Sequence, residues 1–120
     1  MTGIQSSFFD IQQQEDITFL CMLPSRLTEE ENLEQLDRDL SMLTGSYRVR
    51  NLVLDLTSVQ YMSSAAIGKL ISLHRRLGRE DGQLVLCNLQ QEVSETLETS
   101  NLLTYFKVAP TAVDALSFFR

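Results

Sequence analysis

The sequence predicts an α/β fold: a mixed sheet of roughly four to five strands, an N-terminal hairpin followed by parallel strands, covered by about four helices. Three observations carry this. Stretches of strand-like character alternate with stretches of helical spacing along the whole chain. Two short apolar runs, Asn51–Leu56 and Gln83–Cys87, have the pattern of strands buried on both faces. Helical segments separate them, so neighbouring strands run parallel through right-handed crossovers. No repeat, low-complexity stretch or linker divides the chain, and residues 1–120 are expected to form one domain.

Taken in order, Phe8–Gln12 and Ile17–Met22 are rich in aromatic and β-branched residues around Gln14-Glu15-Asp16, which predicts a hairpin. Thr28-Glu29-Glu30-Glu31 has capping-box spacing with acids in the first turn. Leu33, Leu36, Leu40 and Leu43 continue that helix, and Gly45 is its predicted stop. After the Asn51–Leu56 strand, Ser63-Ser64 precede a second helix with Ile67, Leu70, Ile71, His74 and Leu77 on one face. Gly78 or Gly82 closes it. The Gln83–Cys87 strand leads to a short helix over Glu92–Ser100, with Asn101 placed for a left-handed stop. Tyr105–Val108 is expected to form a short edge strand. Thr111-Ala112-Val113-Asp114 has cap-like spacing and opens a last helix carrying Val113, Leu116 and Phe119.

Composition excludes several functions. The net charge is −6 and the pI is near 4.6, so no long-range field attracts nucleic acid or an anionic membrane. Such a charge favours a partner with a basic patch. No apolar run approaches the roughly 18 residues of a membrane span. The start of the chain lacks the basic and apolar segments of a secretion signal, so a cytoplasmic location is expected. Cys21 and Cys87 stand far apart in apolar runs and read as buried free thiols on strands. With one histidine and no clustered ligands, neither a metal nor a cofactor is implied. His74, on an apolar helix face, reads as a partly buried, hydrogen-bonded core residue. Lys69, Arg75, Arg76 and Arg79 lie on the polar side of that helix, as a solvated face or as a rim for an acidic partner. Phe118-Phe119 either pack on the sheet or meet a second subunit, and the expected state is a monomer or weak dimer.

The most informative segment is Asp55-Leu56-Thr57-Ser58-Val59-Gln60-Tyr61-Met62-Ser63-Ser64-Ala65-Ala66-Ile67-Gly68. A strand ends at Asp55, a polar loop follows, and two serines sit where a helix begins. Serine is a good N-cap, since its oxygen accepts from an otherwise unpaired backbone N–H. The same position suits a phosphate, which free amides and the positive end of the helix dipole tolerate. Capping alone and phosphorylation both fit that spacing.

The run Asp55-Leu56-Thr57 followed by Met62-Ser63-Ser64-Ala65-Ala66-Ile67-Gly68 resembles the signature of the STAS family of anti-sigma factor antagonists. The likeness continues through Gln83–Asn88, Leu97–Leu102, Phe106-Lys107-Val108 and Asp114-Ala115-Leu116, roughly the whole chain. The resemblance implies a non-enzymatic switch. The unphosphorylated domain binds an anti-sigma factor that is also a serine kinase, the kinase modifies the domain, and a serine phosphatase resets it. By register the modified residue is Ser64, with Ser63 the second choice, and Asp55, Thr57, Met62, Ser63, Ser64, Ala65, Ala66 and Lys69 form the contact surface. The chain departs from the signature in having Ser63 for the acid, Ala66 for a glycine, and Ser25-Arg26-Leu27-Thr28 without its acid. A non-phosphorylated scaffold is the alternative. A phospho-aspartate receiver built on Asp55 lacks the acidic pair that would hold Mg²⁺, because Met22-Leu23-Pro24 stands there.

Overall fold

The computed structural model describes residues 6–29 and 33–119. Strands β1 (Phe9–Gln14) and β2 (Ile17–Met22) pair antiparallel through a two-residue loop, with Glu15 in the left-handed region at φ 57°. From β2 the sheet continues in parallel through β4 (Asn51–Asp55), β6 (Gln83–Cys87) and β7 (Lys107–Ala109), in the order β1-β2-β4-β6-β7. A separate parallel pair joins β3 (Arg26–Leu27) to β5 (Tyr61–Met62). The predicted mixed sheet with an N-terminal hairpin is thus the observed one. The β3–β5 pair was not expected, because two-residue strands show no periodicity to read.

Helices α1 (Leu33–Thr44), α2 (Ser64–Arg79) and α3 (Gln91–Thr99) cover one face of the sheet. Leu36, Leu40 and Leu43 of α1, Leu70, Leu73 and Leu77 of α2 and Leu97 of α3 meet Leu20, Leu52, Leu54, Leu84 and Leu86 from the strands. Each such leucine, fully buried, contributes about 1.5–3 kcal/mol, so this layer dominates stability. The Thr28–Glu31 capping box lies partly outside the described residues. The chain turns from α2 into β6 at Gly82, not Gly78. A Cβ on Gly82 would stand 2.1 Å from the Arg50 carbonyl oxygen, so only glycine lets the two segments approach.

The other face is covered on one half only. Helix α4 (Ala112–Ala115) and the 3₁₀ turn Leu116–Phe119 pack on Val53, Val85, Cys87 and Ala109. Over β1 and β2 the face stays open, with a cavity of about 350 Å³ lined by Asp10, Phe19, Cys21, Asp55 and Ala112. Cys87 is buried as expected, but Cys21 is only half-buried, since no helix reaches its side of the sheet. Val113 faces solvent, 77% exposed, and Ala115 takes the buried position instead. Asn101 does stop α3 in the left-handed region, at φ 59°. The last strand starts at Lys107 rather than Tyr105, because Phe106 turns into the helical layer and is buried. Among the described residues no helix is long and apolar enough to cross a membrane.

Candidate partner-binding site

At the carboxyl end of the parallel strands the chain runs from Asp55 to α2 through a loop that is tied at many points. Asp55 Oδ1 accepts hydrogen bonds from the Thr57 amide (2.9 Å) and the Thr57 hydroxyl (2.5 Å). The Leu56 amide donates to the Cys87 carbonyl at 3.0 Å, and the Val59 amide to the Leu56 carbonyl at 3.0 Å. Gln90 Nε2, at the start of α3, donates to the Thr57 carbonyl at 2.6 Å. Leu56 and Val59 are fully buried and anchor the loop from below. Its far side is held by β3: the Ser25 carbonyl accepts from the Gln60 and Tyr61 amides, and the Leu27 carbonyl from the Ser63 amide at 2.9 Å.

The two serines divide their roles. Ser63 is the N-cap of α2, extended at φ −74° and ψ 167°, and its hydroxyl accepts from the Ala66 amide at 3.1 Å. It is 8% exposed. Ser64, the first helical residue, is exposed. The amides of a first helical turn have no partner within the helix, so this hydroxyl stands at the positive end of α2. Ala65 is half-buried and Gly68 exposed, with nothing within 4 Å of where a Gly68 Cβ would stand.

Three of the expected contact residues are not on this surface. Met62 is 3% and Ala66 1% exposed, both packed in the leucine layer, while Ser63 is spent on the cap. The helical period explains this, since Ala66 shares the inner face with Leu70, Leu73 and Leu77. Asp55, Thr57, Ser64, Ala65 and Lys69 remain accessible in part or in full. Lys69 Nζ lies 3.8 Å from Asp37 on α1, a partly exposed pair. The sequence reading missed Leu23, Arg26 and Tyr61. The Arg26 guanidinium stacks over the Tyr61 ring at 4.6 Å, Tyr61 is 40% exposed and Leu23 45%. The β3–β5 pair places Arg26 and Tyr61, whereas Leu23 is held by its amide's bond to the Phe8 carbonyl at 2.8 Å.

His74 also differs from expectation. It packs edge-on against Tyr105 and Phe106, with ring centroids at 4.9 and 5.5 Å, and its buried Nδ1 has no hydrogen-bond partner among the described residues. Burial, then the Lys107 charge, holds its pKa below the usual histidine value. Burial and the Asp55 carboxylate push the Cys87 thiol up to about 12, and the same two causes raise Cys21. Neither thiol is a ready nucleophile near neutral pH. Among the described residues no three His, Cys, Asp or Glu side chains cluster to hold a metal ion.

The family description of the STAS domain matches residues 5–115. The chain belongs to the STAS domain family. Within it, the chain is 35% identical over 89 residues to BtrV of Bordetella bronchiseptica, assigned as an anti-sigma factor antagonist, covering 74% of this chain and 76% of BtrV. The crystal structure of TM1081 from Thermotoga maritima, assigned to the same class, superposes with a TM-score of 0.82 at 17% identity, covering 93% of this chain and 94% of TM1081. The phosphorylated form of SpoIIAA, a Bacillus cell fate determinant, superposes at 0.69 and 18% identity, covering 93% and 99% of the two chains. At these identities the structures speak for the fold. As an STAS domain of the anti-sigma factor antagonist family, this is a regulatory, non-enzymatic module.

Proposed function

We propose that this STAS domain is a partner-switching antagonist that docks on an anti-sigma factor with serine-kinase activity through the start of α2 and its preceding loop, and that it is released when Ser64 is phosphorylated. The observation that carries the reading is the division between the serines. Ser63 supplies the cap, so Ser64 is free for modification without loss of the helix terminus. Serine and aspartate cap about equally well, so Ser63 replaces the family acid without harm to the fold while removing a charge beside Ser64. A phosphate adds about −1.5 to −2 charges. Placed in a desolvated interface without a compensating cation, that charge costs several kcal/mol, and about 1.4 kcal/mol is a tenfold loss of affinity. A serine phosphatase completes the cycle, and the domain acts from the cytoplasm.

The experiment pairs the protein with the kinase-type anti-sigma factor of its own cell and ATP. Phosphate is located by peptide mass spectrometry, and binding of Ser64→Ala and Ser64→Glu is measured by calorimetry. Modification at Ser64 is expected, with Ser64→Ala binding as the parent does and Ser64→Glu losing binding at least tenfold. An unmodified Ser64 in the presence of active kinase overturns the switch. The neutral Ser63 favours one second reading, a scaffold that binds its partner without a phosphorylation cycle. Stable binding that survives Ser64→Glu would select it.

A further inference from the structure

A second charged cluster lies at the opposite end of α2. A cleft of about 430 Å³ opens where the C-terminal ends of α1 and α2 meet the start of β4, lined by Ser41, Thr44, Gly45, Arg50, Arg76 and Glu80. Two guanidinium groups converge there on one residue. Arg50 Nη1 donates to the Thr44 carbonyl at 2.8 Å and to the Val49 carbonyl at 3.0 Å. Arg76 Nη1 donates to the Thr44 hydroxyl at 3.3 Å and the Ser41 hydroxyl at 3.1 Å. Bonds to a shared threonine bring two like charges close together.

The chain sets a carboxylate beside only one of them. Arg50 caps the carbonyl end of α1, where a cation is favoured, and its Nη2 stands 3.9 Å from the Glu80 carboxylate. Among the described residues Arg76 has no carboxylate within ion-pair distance, and both its acceptors are neutral hydroxyls. A neutral side chain would serve those hydroxyls equally well. Guanidinium has five N–H donors in a planar fork, and the Nε and Nη2 donors of Arg76 meet no acceptor among the described residues. The helix dipoles favour a cation at both sites, Arg50 at the end of α1 and Arg76 in the last turn of α2, but only Arg50 also has a carboxylate partner.

We propose that this cleft binds a small oxyanion, a phosphate or a carboxylate, with Arg76 and Arg50 gripping separate oxygens beside the Ser41 hydroxyl. Paired guanidinium groups match the geometry of such anions, and an anion between them relieves their mutual repulsion. Glu80 is the one opposing side-chain charge in the lining, and the two guanidinium groups outweigh the partial negative charge of the helix ends. Its side chain is 59% exposed and held only by the long contact to Arg50, so it turns outward as the anion enters. The cleft lies about 18 Å along α2 from Ser64, at 1.5 Å rise per residue, and is therefore independent of the docking surface.

The test titrates the full chain with inorganic phosphate, and in a second arm with succinate, at ionic strength held constant with chloride, followed by amide and arginine side-chain NMR. Saturable shifts are expected at Thr44, Gly45 and the Arg76 Nε–H, with the Ser64 amide unmoved. The tighter-binding arm names the class of anion. Arg76→Gln is expected to weaken binding by about tenfold or more. Should that variant not fold, Arg76→Lys keeps the charge but loses the fork, and is expected to weaken binding too. No saturable shift in either arm, shifts that chloride reproduces, or full binding by the Arg76 variant overturns the proposal.

Discussion

The inner face of α2 presents Ala66, Ile67, Leu70, Leu73 and Leu77 to the sheet, each 6% exposed or less, whereas its outer face carries Ser64, Gly68 and Ser72 in the open. Both faces are built from small residues near the N-terminus, yet for different reasons. Ala66 is small because the leucine layer leaves no room. Gly68 is small although nothing in the chain requires it, and a glycine inside a helix costs roughly 0.5–1 kcal/mol relative to alanine. Residues two apart in sequence thus answer to different constraints, one internal to the fold and one outside it.

Substitutions at five positions sharpen or break that contrast. Ala66→Asp is expected to have the largest effect, several kcal/mol, because it places an unpaired carboxylate in the leucine layer. Urea denaturation should show loss of most of the folding free energy, and near-native stability would mean that Ala66 belongs to the outer face after all. Ser63→Ala removes the cap bond to Ala66 and should cost about 1 kcal/mol, while Ser63→Asp should cost little. Gly68→Ala is expected to stabilise the domain by roughly 0.5–1 kcal/mol and still to weaken partner binding. Gly78→Ala, also with open space at the Cβ position, is the control. It should gain similar stability with unchanged binding, and equal binding losses from both would detach Gly68 from the docking surface. The smallest effect concerns His74, at the boundary between the faces. Its folded pKa lies below the ordinary 6.5, so the folded state resists protonation. Stability from this residue is complete above about 6.5 and is lost as the pH falls below it. The stability gap between the parent and His74→Phe should shift in favour of the variant on acidification, as measured by thermal unfolding across that range.

Much of this architecture was legible because its signals are local and repeated. The leucines of α1 recur at helical spacing, and the Asn51–Leu56 and Gln83–Cys87 runs are too apolar for anything but buried strands. Asn101 marked a helix stop because few side chains accept a positive φ. Two features were illegible, and a third was legible but passed over. The inward turn of Phe106 depends on the space the helices leave at the sheet edge. The Arg26–Tyr61 contact depends on pairing between two segments far apart in sequence. The burial of Ala66 was open to inference from the period of the helix, but the motif drew it toward the surface by association with Ser64. Spacing identified Ser63-Ser64 as the start of a helix, yet only the geometry shows which hydroxyl is occupied.

The ties that run from Asp55 through Thr57 and Gln90, and from Ser25 and Leu27 to residues 60–63, also have a kinetic meaning. A loop already fixed in shape loses little further freedom when another molecule settles on it. Encounter then needs no rearrangement, and the lifetime of the complex becomes the quantity left for regulation to adjust. A change of charge at one side chain acts directly on that lifetime.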